Sequence, residues 1–211
     1  MRAVVPLALT AVLAAGVLAA ASEAHGQESV AEHTHRVVVR PVDASGHARP
    51  AYTVTRVTGV TVQCDGPAAS AVDDGIYACF PAAEYLPACW QARHHTVLCL
   101  RDARKQKLAR FRWSGTLGSA TAPTHPSPID LDLAGGQQCS QRVGGAWSTL
   151  PTHPSWVGFY SCGKGSVYGP PSGDGVDRST SPWTVREWVG GTKHKVVRHD
   201  VATAYLVGTH R

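Results

Sequence analysis

The sequence predicts an all-β protein: compact antiparallel sheets in a sandwich or barrel-like arrangement, open to division into two small lobes, and stapled by disulfides. Three observations predict it. Helical periodicity is not sustained in any segment beyond the apolar N-terminus. Short runs rich in β-branched residues recur between Gly- and Pro-bearing turns. Six cysteines, Cys64, Cys79, Cys89, Cys99, Cys139 and Cys162, follow what reads as an export signal.

Met1-Arg2 supplies a positive charge, and the chain then carries no charge until Glu23. A basic start, an apolar stretch and small residues at its exit predict a signal peptide over 1–26, cut after Ala24 or Gly26. An uncleaved anchor is the alternative, but the stretch is alanine-rich and its insertion energy modest. No later segment is apolar enough to span a bilayer, so no membrane span is expected after cleavage. Residues 27–50 read as a flexible N-terminal segment, with Thr34–Arg40 a candidate early strand.

An N-terminal β lobe is expected over 51–114. Tyr52–Val57 and Val60–Cys64 read as strand on either side of Gly59, and Asp73-Asp74-Gly75 as a turn before Ile76–Cys79. Ala82–Leu86 reads as one helical turn stopped by Pro87. His95–Arg101 and Leu108–Trp113 make a hairpin, with Ala109, Phe111 and Trp113 on one face and Arg110 and Arg112 on the other. Residues 115–128, with Pro123, Pro126 and Pro128, form a linker.

A C-terminal β lobe follows over 129–211. Ile129–Leu133 alternates strictly, Cys139–Val143 and Trp156–Cys162 pair, and Trp183–Trp188 and Lys195–Val207 make a last hairpin about Gly190-Gly191. In the final strand Val197, His199, Val201, Thr203, Tyr205 and Val207 are expected on one side. Six cysteines allow fifteen pairings. Neighbours in sequence are favoured, Cys64–Cys79, Cys89–Cys99 and Cys139–Cys162, because each pair staples a strand-turn-strand unit whose ends are already close. Zinc is not expected, since no Cys-x-x-Cys pair is present.

Several segments carry a resemblance. Trp156-Val157-Gly158-Phe159-Tyr160-Ser161-Cys162, Val167-Tyr168-Gly169-Pro170, Gly175–Ser179, Pro182–Val185 and Ala202–Thr209, with the earlier Leu86–Trp90 and Leu98–Asp102, together resemble a family of uncharacterised, disulfide-containing proteins secreted by actinobacteria. The likeness runs over roughly residues 60–209. It implies secretion and paired cysteines, and no activity.

Chemistry-bearing groups are sparse. Of eleven histidines, His33 and His35 share a strand face, His94 and His95 are adjacent, and His125 and His153 each sit in a Thr-His-Pro-Ser segment. None has metal-ligand spacing. Gly173–Ser179 puts Asp174 and Asp177 in a glycine-rich loop but lacks the oxygen ligands of a calcium site, so a structural turn with Arg178 paired to an aspartate is expected. No Gly-x-Ser-x-Gly elbow is present, and a hydrolase would need a triad from distant residues such as Ser155, His199 and Asp177.

The segment Arg101–Arg112 is the main electrostatic feature, with Arg101, Arg104, Lys105, Lys107, Arg110 and Arg112 against Asp102. Such a patch draws phosphates, anionic glycans or lipid headgroups. The expected function is a non-enzymatic extracellular or envelope-associated binding module for an anionic or glycan ligand. Arg104, Lys105, Lys107, Arg110, Arg112 and the loop residue Trp147 are its contacts. No cofactor, metal or nucleic acid is expected, and the partner would be an anionic envelope glycan or lipid. The alternatives are the distant-triad hydrolase and a structural cell-envelope protein. Oligomeric state is left open.

Overall fold

The computed structural model describes residues 32–81, 84–144, 149–190 and 195–210. The expected signal peptide, Trp147 and Gly191 lie outside the described residues. No helix occurs within them, and none is long and apolar enough to cross a membrane. The strands run β1 (His35–Val39), β2 (Thr53–Pro67), β3 (Ile76–Phe80), β4 (Leu86–Ala92), β5 (Thr96–Asp102), β6 (Lys107–Trp113) and β7 (Asp130–Leu133). They continue with β8 (Gln138–Gln141), β9 (Val157–Cys162), β10 (Gly165–Gly169), β11 (Val176–Asp177), β12 (Thr184–Val189) and β13 (Lys195–Val207).

β2–β6 close into a barrel. The remaining strands form a sheet in the order β1-β13-β7-β8-β9-β10-β12-β11, which an added β12–β13 pairing closes on itself. The fold is therefore all-β with two barrel-like sheets. The disulfides join neighbours in sequence: Cys64–Cys79, Cys89–Cys99 and Cys139–Cys162. Each links paired strands, since Cys64↔Cys79, Cys89↔Cys99 and Cys139↔Cys162 stand opposite in register.

Burial on β6 tells the inside of the first barrel from its outside. Ala109 and Phe111 are buried, whereas Arg112 is exposed and Arg110 half-buried. The inner face, with Val62, Cys64, Cys79, Cys89, Val97 and Cys99, is a core holding two of the disulfides. On the outer face Trp90, Leu98, Leu100 and Leu108 pack with Val39, Ile129 and Val207 of the other sheet, so the two barrels share a core. The Trp90 indole N–H donates to the Gly208 carbonyl at 3.2 Å.

Several placements add to these expectations or depart from them. The segment 27–50 is built into the fold from His35 onward. β1 pairs in parallel with the end of β13, Val39 and Val42 are buried, and the Asp43 carboxylate accepts the Ser45 and His47 N–H groups in a tight turn. The helical turn expected at Ala82–Leu86 lies partly outside the described residues, while Leu86 begins β4 and Pro87 lies within that strand and does not stop it. The β3–β4 register shifts there, and an irregularity is where a strand tolerates a proline. The pairing is not wholly antiparallel, because β1–β13 and β2–β6 are parallel. Finally, a register shift between Val201 and Thr203 turns β13 over. Val201, Ala204 and Leu206 are buried, and Tyr205 faces the other way.

Arg104 locks the barrels together. Its Nε lies 2.8 Å from Asp132 Oδ1 and its Nη1 3.3 Å from Asp130 Oδ1. Nη2 donates to the carbonyls of Leu131 and Cys139 at 2.8 and 3.2 Å. Burial pushes the Asp130 carboxyl up, against the pull of the Ser140 hydroxyl and Arg104. The Tyr205 hydroxyl donates to Asp132 Oδ2 at 2.6 Å, and the Arg104 guanidinium lies over its ring.

Burial, then the bond to Asp132, pushes the Tyr205 phenol from 10.0 up to about 12. A raised phenol contributes stability that is complete below its unfolded value and is lost as pH climbs through its folded one. Denaturant titrations at several alkaline pH values are expected to show stability falling between about pH 10 and pH 12. Tyr205→Phe is expected to make that fall shallower, and an unchanged slope would contradict it.

Candidate anion-binding groove

The basic residues on the outer face of the first barrel come from three places in the chain. Parallel pairing sets Arg56 of β2 opposite Arg110 of β6, and antiparallel pairing sets Thr96 of β5 opposite Arg112. The β4–β5 turn brings Arg93 and His94 to the same region. His94 and His95 both hold left-handed backbone, at φ 59° and 56°. That conformation is uncommon outside glycine and asparagine. The turn is fixed by the Thr96 hydroxyl donating to the Arg93 carbonyl at 2.7 Å, and by the His95 ring stacked 3.8 Å from Trp113.

Two adjoining hollows share Arg56, His94, Thr96 and Arg110. One, of about 410 Å³, extends over Val57–Thr61 to Arg112, and the other, of about 520 Å³, extends to His47 and Arg93. Together they make one groove. Among the described residues no ion pair involves Arg56, Arg93, Arg110 or Arg112. Arg110 keeps one internal bond, donating to the Thr96 hydroxyl at 3.1 Å. Arginine carries a planar fork of donors that matches oxyanions, and here the forks are not already matched by carboxylates.

The groove only partly coincides with the expected contacts. Arg110 and Arg112 line it. Arg104 does not, because its charge is spent on Asp130 and Asp132. Lys105 is exposed on the β5–β6 loop, 3.5 Å from Asp102, and Lys107 begins β6, away from the Arg112 end. Arg101 pairs with Glu84 at 2.5 Å. Arg56, Arg93 and His94 were not among the expected contacts. Alternation in Thr53–Val57 gives Arg56 a face, but neither its parallel partner nor the nearby turn can be read locally.

The other candidates resolve into structural roles. Asp174 is gripped by Arg178 through both oxygens, at 2.9 and 2.5 Å. Burial pushes its carboxyl up, and Arg178 more than offsets this, so the net shift is downward. Asp177 accepts the Ser179 N–H and hydroxyl, which occupies the loop that would otherwise resemble a calcium site. The tryptophans have neighbours: Trp183 lies under Arg178, Trp156 under Arg186 and beside His153, and Trp188 edge-on to Tyr168.

His199 is oriented by Glu187, not Asp177. Its Nε2 lies 3.0 Å from the Glu187 carboxylate, which is almost fully buried in the second barrel and also accepts from Gln137 at 2.6 Å. No hydrogen bond among the described residues brings a serine or threonine hydroxyl to His199, so Ser155, His199 and Asp177 do not assemble as a triad. The one His/Cys/Asp/Glu group there with metal-like spacing is Cys79, Cys89 and Cys99, all in disulfides.

No family model, curated protein or solved structure matches the chain.

Proposed function

We propose that this protein is a secreted, extracellular or envelope-associated binding module that holds an anionic ligand in the groove of Arg56, Arg93, Arg110 and Arg112. One observation carries the reading: these arginines converge on one groove without carboxylate partners among the described residues. Three disulfides are compatible with an extracellular setting. The internal use of Arg104 moves the contact surface from the β5–β6 loop to the β2–β6 face.

The test is binding of dextran sulfate, a generic polyanion, at low and high salt. Wild type should bind, with affinity falling as salt rises. Arg110→Ala/Arg112→Ala should weaken binding about tenfold or more, because charge-assisted bonds contribute about 1.5–3 kcal/mol each. Lys105→Ala/Lys107→Ala should change it less than about twofold, as expected of flexible surface charges. Salt-independent binding, or a larger loss in the lysine variant, would remove the reading.

A further inference from the structure

The groove runs beside a strand edge that the barrel leaves open. β2 pairs with β6 through its first part and with β3 only from Gln63 onward. The opposite edge of Thr53–Arg56 has no strand partner among the described residues. The Thr53 N–H donates to the Gln106 carbonyl at 3.0 Å, which points the Thr53 and Thr55 backbone groups at β6. Backbone direction alternates along a strand, so the N–H and C=O groups of Val54 and Arg56 point outward from the barrel's hydrogen-bonded ring.

Beyond Arg56 the β2–β6 ladder is interrupted. Residues 57–60 of β2 stand against Phe111 alone on β6, with Gly59 at φ 76°. Thr55, Arg56, Thr58 and Thr61 are exposed, and Val60 is an exposed large hydrophobic side chain. A charged residue and a bulge are common guards on an open edge. Here the guard is selective. A second copy of this chain would set arginine near arginine, and a basic strand would meet Arg56, Arg110 and Arg112 together. An acidic strand meets neither obstacle.

We infer that the anionic ligand of the groove is an extended, acidic segment of a partner polypeptide, which adds as a strand to the free edge of β2 at Val54–Arg56. The inference rests on the reading of the groove as an anion site and names its ligand. Backbone bonds to Val54 and Arg56 supply the pairing. Acidic side chains on the outward face of the added strand meet Arg56 and reach toward Arg110, giving the charge selectivity.

A peptide of alternating threonine and glutamate places every carboxylate on one strand face and is the probe. Its binding to the folded protein is compared with that of a threonine–lysine peptide, and with a threonine–glutamate peptide N-methylated at alternate residues. The unmodified acidic peptide should bind, and N-methylation should weaken it about tenfold or more through lost backbone bonds. Val54→Pro removes an outward N–H that no described ladder uses and should weaken the acidic peptide likewise. Val54→Ala, which makes the side-chain loss alone, should not. Acidic-peptide binding indifferent to N-methylation and to Val54→Pro would overturn the inference. So would dextran sulfate binding through Arg110 and Arg112 without any peptide binding, and that result would leave the groove standing. Failure of every anionic probe would overturn both.

Discussion

Replacing Arg104 with alanine is expected to destabilise the folded chain by about 3–5 kcal/mol, the usual range when one member of a buried ion pair is removed. Asp130 is left almost fully buried without its cation, and among the described residues Asp132 keeps only Tyr205. The carbonyls of Leu131 and Cys139 lose the same guanidinium. Arg104→Lys should recover only part of the loss, because one ammonium cannot reproduce a fork that serves two carboxylates and two carbonyls. Since Arg104 belongs to the first barrel and its partners to the second, the loss should appear as weaker cooperativity between barrels as well as a lower melting temperature. A denaturant titration followed by a probe in each barrel reads both. A change under about 1 kcal/mol would mean that the contact is a surface pair of ordinary worth.

The disulfides are expected to rank by location and not by loop length. Loop entropy alone gives roughly 2.7 kcal/mol for Cys89–Cys99, separated by 10 residues, and roughly 3.4 kcal/mol for Cys139–Cys162, separated by 23. But Cys89 and Cys99 are both fully buried in the first barrel beside Cys64–Cys79, while in the other pair Cys139 is fully buried and Cys162 half-buried. Replacing Cys89 and Cys99 by alanine opens a void among Val62, Val97 and Phe111 and adds a cavity cost of order 1–2 kcal/mol. The alanine pair at 89 and 99 should therefore cost about 4–5 kcal/mol and exceed the pair at 139 and 162. Equilibrium unfolding of the two double variants decides it. The reverse order would show that chain entropy dominates and that the barrel interior repacks around the loss.

What could be read from the sequence was local. The hairpin of β5 and β6, the paired β8 and β9, the β12–β13 hairpin and the neighbour disulfides all lie within short stretches whose alternation and turns are visible. Parallel pairings join distant stretches and leave no such trace. Nothing local in His35–Val39 says that it lies against Thr203–Val207, or in Arg56 that it faces Arg110. The same limit explains the site. Arg110 and Arg112 were recognisable from β6 alone. Arg104 has the same local appearance, a basic residue in a basic hairpin, and only the arrival of Asp130 and Asp132 from the other barrel removes it from the surface. Pro87 has the local look of a stop, but a register shift lets it stand inside a strand.

Hydrogen exchange on the folded protein with and without dextran sulfate tests the central claim most directly, because it locates the ligand without altering any residue. The account predicts slowed exchange at Arg56–Thr61, Arg93–Thr96 and Arg110–Arg112, fading as salt is raised. Protection confined to the second barrel, or to the Lys105–Lys107 loop, would contradict it.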